Sequence, residues 1–327
     1  MPLVCNYYLT LRCNARCSFC NIWQEPDRRL ADSEEVLRNL GQLRRAGVRI
    51  VDFTGGEPLL HPDLPHFLRE AKSRGLRTTV STNALLYPKR ARELAGLVNL
   101  LHFSIDAAQP DLHDRLRGIP SFDRVMESLD LALTLGEKPE LLFTASRENY
   151  LEIVPLADVA RQIGVILIVN PVFGERGEAV LRRDELLELI GLCDRPYVYL
   201  NGGVVKLMLD GGNDPARPRC RAVSSTVVIS PQNELLLPCY HQAQAAVPIG
   251  DDLSAALNHP ARAQWRKQEG RADFCRGCSI NCYMAPSLVY RADRYLAAFA
   301  PWAAKYFYYK SRPRFGAAKR LPIRPAA

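Results

Sequence analysis

Eight of the ten cysteines in this 327-residue chain stand in two groups, and the other two stand alone. The first group is Cys13, Cys17 and Cys20, with the spacing CxxxCxxC. Grouped cysteines in a reducing compartment indicate metal binding, because disulfides rarely persist there. A four-iron cluster takes one ligand per iron, so three thiolates leave one iron free to bind a small molecule. The alternative is a zinc site completed by a histidine, but the nearest, His61, belongs to a different predicted βα unit.

A Gly-Gly-Glu-Pro loop follows the second predicted strand, at Gly55, Gly56, Glu57 and Pro58. Two glycines let a ligand approach bare backbone, the carboxylate suits an amino group, and the proline stiffens the loop. Such a sequence in isolation is usually a turn. One βα unit after a CxxxCxxC loop, it predicts a binding site.

The second group of cysteines lies near the C-terminal end of the chain and comprises Cys220, Cys239, Cys275, Cys278 and Cys282. Residues 225–229 and 234–237 predict a β-hairpin, with one cysteine before it and another just after it. The hairpin and the returning segment can therefore bring these cysteines together. Four thiolates suit either an iron-sulfur cluster or a structural zinc ion.

The elements that must position these residues follow a repeated βα pattern up to about residue 170. Short apolar runs predict strands at 3–11, 49–54, 77–82, 100–105, 140–145 and 165–170, with amphipathic helices between them. This pattern is typical of an α/β fold with a parallel sheet, and six strands are too few for a closed eight-stranded barrel. One helix is expected near 184–192, and the Gly/Pro/Asn-rich stretch 201–218 predicts a domain boundary.

The pairing of the CxxxCxxC and Gly-Gly-Glu-Pro motifs resembles the radical S-adenosylmethionine (radical SAM) superfamily over residues 3–170. The resemblance implies a partial (β/α)6 barrel and a [4Fe-4S] cluster on Cys13, Cys17 and Cys20, with SAM chelating the fourth iron. It also implies that an electron from the cluster cleaves SAM to methionine and a 5′-deoxyadenosyl radical, which abstracts a hydrogen atom from a substrate. A reducing partner such as flavodoxin or ferredoxin would supply the electron.

The resemblance further assigns a set of residues to SAM. Phe19 would pack near adenine, the Gly-Gly-Glu segment would receive the methionine amino group, and the end of the fourth strand would contact methionine or ribose. The full set is Phe19, Gly55, Gly56, Glu57, Ser104, Asp106, Val169 and Asn170. Ser81, Thr82, Asn83 and Arg147 lie at the ends of the third and fifth predicted strands, at the same end of the barrel. For these residues, a structural role in capping a loop is an equal alternative to contact with SAM or the substrate.

The C-terminal cysteines resemble the SPASM/Twitch extension of radical SAM enzymes, including Pro238 before Cys239 and the Pro-Ile-Gly at 248–250. A full SPASM domain has about seven cysteines and two clusters, so five grouped cysteines favour a Twitch-like version with one auxiliary [4Fe-4S] cluster that relays electrons. The four ligands we choose are Cys220, Cys239, Cys275 and Cys278, with Cys282 as a spare or as the true fourth ligand. We expect a core barrel at 1–200, a small C-terminal iron-sulfur extension (a β-hairpin plus helices) at 201–290, and a basic aromatic tail at 291–327.

Charge is concentrated in that tail. The chain has a net charge of +8, and all of the excess comes from eight basic residues after position 293. A basic face for nucleic acid is therefore not expected. Aromatic residues at helical spacing (Tyr295, Phe299, Trp302, Tyr306 and Tyr309) suit either contact with a membrane surface or a helix packed on the barrel. With no membrane-spanning run and no secretory signal, we expect a cytoplasmic protein, with residues 294–327 as the candidate for peripheral membrane contact.

Three functional hypotheses follow. The first is a radical SAM enzyme, of oxidoreductase type, that acts on a small molecule, a cofactor precursor or a lipid. The second is a radical SAM maturase that modifies a peptide or protein. The third is a non-catalytic iron-sulfur or zinc-binding protein, which the Gly-Gly-Glu-Pro loop disfavours because an electron carrier needs no SAM site. No residue is assigned to the substrate.

Overall fold

The computed structural model of the chain describes residues 1–173 and 180–312. Ten strands form one sheet in the order β10-β9-β8-β1-β2-β3-β4-β5-β6-β7. Their bounds are β1 (Val4–Thr10), β2 (Ile50–Gly55), β3 (Arg77–Thr82), β4 (Leu100–Ser104), β5 (Glu140–Ala145), β6 (Leu167–Pro171), β7 (Val198–Leu200), β8 (Thr226–Ile229), β9 (Glu234–Leu237) and β10 (Ala245–Pro248).

Helices connect the parallel strands β1 to β7 and cover one face of the sheet. The thirteen α-helices of the described residues are α1 (Ser33–Arg45), α2 (Leu64–Ser73), α3 (Tyr87–Leu94), α4 (Pro110–Arg117), α5 (Phe122–Thr134), α6 (Ile153–Ile163), α7 (Arg183–Leu192), α8 (Gly202–Leu209), α9 (Ala222–Ser225), α10 (Leu253–Leu257), α11 (Pro260–Gln268), α12 (Asn281–Ser287) and α13 (Arg294–Lys310). Short 3-10 turns lie at 22–24, 58–60, 150–152, 273–275 and 288–290. The six predicted strands are confirmed, each within two residues at either end.

Alternation along the strands separates the hydrophobic core from the interior of the partial barrel. Tyr7 in β1 and Phe53 in β2 are fully buried between the sheet and its helices, with ring centroids 6.4 Å apart. Tyr8, Asp52 and their neighbours two positions along face the other way, because successive side chains of a strand point to opposite faces. The open interior is therefore lined by polar and aromatic groups.

The predicted C-terminal hairpin is confirmed, and it extends the barrel sheet. β8 and β9 pair antiparallel. β8 also pairs in parallel with β1, with Val4 opposite Thr226. Strand pairing thus crosses the position at which the sequence predicts a domain boundary.

Two elements in the Gly/Pro/Asn-rich stretch and just before it were not predicted. β7 adds a seventh parallel strand next to β6, and α8 begins directly after it. Asn201 caps α8 by accepting a hydrogen bond from Val204 N at 3.1 Å. Val204, Val205 and Leu207 are buried, so this stretch is part of the packed fold.

The C-terminal helix α13 is packed on the barrel. Tyr306 Oη donates to the Glu140 carboxylate at 2.6 Å, Tyr309 packs on Tyr197 at 4.6 Å between ring centroids, and Lys310 pairs with Glu140. All five residues of the predicted aromatic face are buried or partly buried against the core. Packing on the barrel is thus the alternative that the structure favours. Arg314, Lys319, Arg320 and Arg324, which the sequence analysis included in the basic tail, lie outside the described residues.

Candidate active site

The first three cysteines lie in a loop that leaves the end of β1 and is fixed against α4. Arg16 N donates to Arg117 O at 3.0 Å, and Ser18 N donates to Leu116 O at 2.9 Å. Cys20 N donates to Cys17 O at 3.2 Å, which closes the loop on itself. The shape of the loop is therefore set by backbone hydrogen bonds before any metal binds.

The three thiols are close neighbours in a partly buried setting. Burial raises the pKa of Cys13 to about 12, and the charges of Glu57 and the other two thiols act in the same direction. Burial also raises the pKa of Cys17, which Arg117 opposes. Three thiolates here would repel each other unless a cationic centre compensated them, as an iron-sulfur cluster does.

The spacing of the thiols bears on which metal they suit. Within 1–173 and 180–312, no three His, Cys, Asp or Glu side chains are already placed to hold a single metal ion. Zinc requires its donors to converge on one atom, whereas a four-iron cluster gives each thiolate a different iron. Cys13, Cys17 and Cys20 would supply three of the four ligands of such a cluster.

The glycines of the Gly-Gly-Glu-Pro loop are required by its contact with the cysteine loop. Gly56 N donates to Thr10 O and Glu57 N donates to Arg12 O, both at 2.8 Å. A Cβ on Gly55 would lie 2.1 Å from Thr10 O, and one on Gly56 would lie 2.0 Å from Arg12 O. Gly55 also has φ +132°, which disfavours any other residue. From the sequence, these two glycines were expected to let a ligand approach the backbone. In the structure, it is the close approach of the end of β1 and the cysteine loop that requires them.

The Glu57 carboxylate is hydrogen-bonded by other groups of the protein. Its side chain is 1% exposed, and its carboxylate accepts hydrogen bonds from Leu59 N at 3.0 Å, Thr82 Oγ1 at 2.8 Å and Asn83 N at 2.9 Å. Burial raises its pKa to about 6, although the three hydrogen bonds oppose the shift. Asn83 in turn donates to Asn14 Oδ1 at 2.7 Å, within the cysteine loop. The carboxylate that the sequence suggested for an amino group therefore joins the ends of β2 and β3 to that loop.

Arg117 at the end of α4 is a site residue that the sequence analysis missed. Its Nε lies 2.6 Å from Asp106 Oδ2, and its Nη1 lies 3.6 Å from Cys17 Sγ. Its guanidinium also stands over the Phe19 ring, 5.5 Å from the ring centroid. Asp106 is fully buried and accepts a further hydrogen bond from Thr144 N at 2.9 Å. Asp106, predicted to contact SAM, is thus the internal counter-ion of an arginine that touches the cysteine loop.

The remaining residues predicted to contact SAM differ in their burial and in their contacts. Ser104 ends β4 close to Asp106 and is 9% exposed. Val169 has its side chain in the main core, which leaves only its backbone to face a ligand. Asn170 Oδ1 accepts a hydrogen bond from Asn281 Nδ2 at 2.9 Å and so links β6 to α12. Arg147 pairs with Glu185 at 3.3 Å, which favours the structural alternative for it.

Four of the five C-terminal cysteines line one small pocket. These are Cys220, Cys239, Cys275 and Cys278, and the pocket also contains Phe274, Tyr283 and Met284. Burial raises the pKa of Cys239 to about 12, with the neighbouring thiols adding to the shift. Cys282 is not part of this pocket. It is exposed to a second, larger cavity.

Asn213 ties together the backbones of three of the four pocket cysteines. Its Oδ1 accepts from Cys220 N at 3.2 Å, and its Nδ2 donates to Cys275 O at 3.1 Å. Its own backbone N donates to Cys278 O at 2.9 Å. This residue lies in the Gly/Pro/Asn-rich stretch, and nothing local in the sequence distinguishes it from a turn residue.

The larger cavity lies between the cysteine loop and the C-terminal hairpin and has a volume of about 520 Å³. This is within the range of roughly 300–1,000 Å³ that small-molecule sites occupy. Its lining includes Phe19, Cys20, Thr54 and Gly55 from the predicted cofactor site, together with Tyr8, Phe173, Tyr240, His241 and Cys282. The predicted cofactor loop and an unpredicted aromatic wall therefore share one cavity.

Comparisons with known proteins agree with this arrangement. The family model described as "Radical SAM superfamily" matches residues 7–145. A "Probable GTP 3′,8-cyclase" of Saccharolobus solfataricus is 32% identical over 190 residues, which is 55% of this chain and 61% of that relative's length. A second, from Sulfurisphaera tokodaii, is 25% identical over 265 residues, 75% of this chain and 83% of the relative.

Solved structures share the fold over most of the chain. Streptococcus suis SuiB bound to S-adenosylmethionine aligns with a TM-score of 0.69 and 19% identity, covering 90% of this chain and 76% of that one. The protein anSMEcpe with bound AdoMet aligns with a TM-score of 0.63 and 14% identity, covering 94% and 97%. At these identities the alignments establish the fold.

None of the helices described here is long and apolar enough to cross a membrane.

Proposed function

The chain belongs to the radical SAM superfamily, and from that premise we propose that it is an enzyme of oxidoreductase type that reductively cleaves SAM. When bound, a [4Fe-4S] cluster supplies the electron that generates a 5′-deoxyadenosyl radical, which abstracts a hydrogen atom from the substrate. Cys13, Cys17 and Cys20 hold this cluster. The observation that carries the proposal is that Cys20 and Gly55 line one ligand-sized cavity, while backbone hydrogen bonds tie the cysteine loop and β1 to the Gly-Gly-Glu-Pro loop.

The chain's own residues position this site. Glu57 fixes the Asn83 backbone and side chain against the cysteine loop, so we propose a positioning role for it. Arg117 holds a positive charge beside Cys17 and packs over Phe19, so we propose that it stabilises the thiolates of the cysteine loop. Ser104, Val169 and Asn170 remain assigned to the ribose and adenine side.

An auxiliary [4Fe-4S] cluster on Cys220, Cys239, Cys275 and Cys278 is the second part of the proposal. Its support is the shared pocket of these four thiols and the hydrogen bonds through which Asn213 organises them. Cys282 faces the other cavity, so we do not include it among the ligands. With all four irons ligated by protein, this cluster would exchange electrons with the substrate and leave SAM to the first cluster.

The substrate remains open between classes. The two curated relatives reported above are named for an activity on GTP, and this chain spans 61% of the length of the first of them. That name supports a small-molecule or cofactor-precursor substrate over a peptide, whereas the SuiB structure with a precursor peptide shares only the fold. A reducing partner such as flavodoxin or ferredoxin is required for turnover.

The test is formation of 5′-deoxyadenosine. Anaerobically reconstituted protein, reduced with dithionite in the presence of SAM, should produce 5′-deoxyadenosine and methionine, measured by liquid chromatography. Replacing Cys17 with alanine should abolish the product. Absence of 5′-deoxyadenosine from reduced protein that holds its clusters would leave the non-catalytic hypothesis standing.

Iron content tests the auxiliary cluster. We expect about eight irons per chain, with about four lost in Cys278→Ala and none lost in the matched control Cys282→Ala. Loss of iron from the Cys282 variant, or zinc in place of the second four irons, would refute the ligand assignment.

A further inference from the structure

Four aromatic side chains line the large cavity together with residues of the cofactor loop. We call Tyr8, Phe173, Tyr240 and His241 the aromatic wall. Tyr8 and Tyr240 are stacked, with ring centroids 4.1 Å apart and planes 11° apart. The His241 ring meets Tyr240 edge-on at 5.5 Å and Phe173 edge-on at 5.3 Å. The wall is therefore a set of packed π-faces and edges and not a loose group of rings.

Charge in this cavity has one sign. Of the described residues that line it, Glu25 is the only one with a formal charge, and none is a lysine or arginine. Glu25 is exposed, and within the described chain its carboxylate has neither an ion pair nor a hydrogen bond. The carboxylate is thus available to a ligand.

These features discriminate between ligand charges. A cation gains from the negative faces of aromatic rings and from a carboxylate, and both effects strengthen as water is displaced. A phosphate or carboxylate entering the same space would lose its hydration, and no described lysine or arginine of the lining would replace it. A nucleoside triphosphate, with several negative charges, suits this cavity least.

We propose that the part of the substrate that enters this cavity is a protonated amine carried on an apolar or aromatic body, held between Glu25 and the aromatic wall. This inference rests on the proposed function, because the substrate hydrogen atom to be abstracted must lie close to SAM, near the same cavity. It narrows the substrate class without naming the compound.

Binding of matched probes tests the charge preference. Phenethylamine and 3-phenylpropionate share an aromatic body and differ in charge, and GTP serves as the triphosphate probe. Each is titrated calorimetrically into anaerobically reconstituted, unreduced protein saturated with SAM. We expect phenethylamine to bind at least about tenfold more tightly than either anion, which corresponds to about 1.4 kcal/mol. Equal or tighter binding of GTP or 3-phenylpropionate would overturn the proposal, as would displacement of SAM by phenethylamine.

Variants at Glu25 locate the effect. Glu25→Gln should reduce the preference to about fivefold or less, and Glu25→Lys should reverse it, since the aromatic wall alone contributes about 1 kcal/mol or less at an exposed site. Glu34→Gln removes an exposed carboxylate from α1, outside the cavity, and should leave the preference unchanged. A preference that survives Glu25→Lys would refute the role of Glu25.

Cys282 supplies a readout inside the cavity. Its thiolate attacks a methanethiosulfonate, forming a mixed disulfide and releasing methanesulfinate, and peptide mass spectrometry measures the rate at this residue. A trimethylammonium reagent should react faster than a sulfonate reagent, and Glu25→Gln should reduce the difference. Equal rates in the parent protein would overturn the proposal. Both assays use unreduced protein, so a failure to form 5′-deoxyadenosine would refute the enzymatic proposal without affecting them.

Discussion

Replacing Arg117 with methionine removes both contacts of its guanidinium, one with Asp106 and one with Cys17. The two losses should have different effects, one on stability and one on the first cluster. The side chain is 7% exposed and Asp106 is fully buried. Losing the arginine leaves a buried carboxylate without its counter-ion, which costs about 3–5 kcal/mol. Asp106→Asn keeps the acceptor for Thr144 N and removes the charge, so the double variant should recover most of that loss.

The second effect of this substitution is on the first cluster. At an effective dielectric constant of about 20, a unit charge a few ångströms from the cluster-binding thiolates would be worth on the order of a few kcal/mol, or on the order of 100 mV for one electron. Arg117→Met should therefore make the midpoint potential of the SAM-responsive cluster more negative by on the order of 100 mV. The double variant removes opposite charges together and should lie near the parent value.

The assays are an anaerobic redox titration, followed by the EPR signal that SAM perturbs, and the melting temperature of each variant. Arg115→Met is the matched control, because Arg115 also lies on α4 but is 62% exposed and pairs with Glu148 at the surface. Its effect on stability should stay below about 1 kcal/mol. Unchanged potential and stability in Arg117→Met, or no recovery in the double variant, would refute the electrostatic reasoning.

Two further predictions concern the interior of the site. Gly56→Ala should lose the first cluster and 5′-deoxyadenosine formation, because its Cβ would lie 2.0 Å from Arg12 O, whereas Gly191→Ala, with open space around its Cβ, should stabilise α7 by about 0.5–1 kcal/mol. Retained iron in Gly56→Ala would contradict the first half. Asp52 has an unpartnered Oδ1 among the described residues, and burial raises its pKa to about 6 while His102 opposes the shift. Its folded pKa lies above its unfolded value, so stability is lost as pH rises through about 6, by about 2–3 kcal/mol. Asp52→Asn should therefore melt higher than the parent at pH 8, with a smaller gap at pH 5, and a gap independent of pH would refute the titration.

Sequence reasoning succeeded where the signal is local. The strands that carry the cysteine loop and the Gly-Gly-Glu-Pro loop follow from apolar runs bounded by turn residues. Asp32, a residue type that favours N-caps, caps α1 by accepting from Glu34 N and Glu35 N. The same holds for the hairpin at 226–237. In each case propensity, capping and the hydrophobic pattern favour the same structure.

Misinterpretation occurred where a residue's purpose is set by a distant part of the chain. Gly202 and Gly203 fall in the stretch that the sequence predicts as a domain boundary. A Cβ on Gly202 would lie 2.3 Å from the Trp302 ring, and one on Gly203 would lie 2.6 Å from Tyr295 O, so both glycines are needed for the close packing of α8 against α13. Arg117 contacts Cys17 across 100 residues of sequence. Glu57 was interpreted from its chemistry alone, and its donors Thr82 and Asn83 could not be identified without the fold.

The pairing of β1 on both sides has a consequence for how the chain folds. β1 precedes both of its partners in the chain, and one of them, β2, follows within 50 residues. Its other partner, β8, is separated from it by more than 200 residues, as the pairing of Val4 with Thr226 shows. Until β8 arrives, β1 has an open edge, which is a template for pairing with another chain. The cysteine loop therefore follows a strand whose second edge stays open until β8 has been made, so the nascent chain depends on residues 226–229 to protect that edge from pairing with other chains.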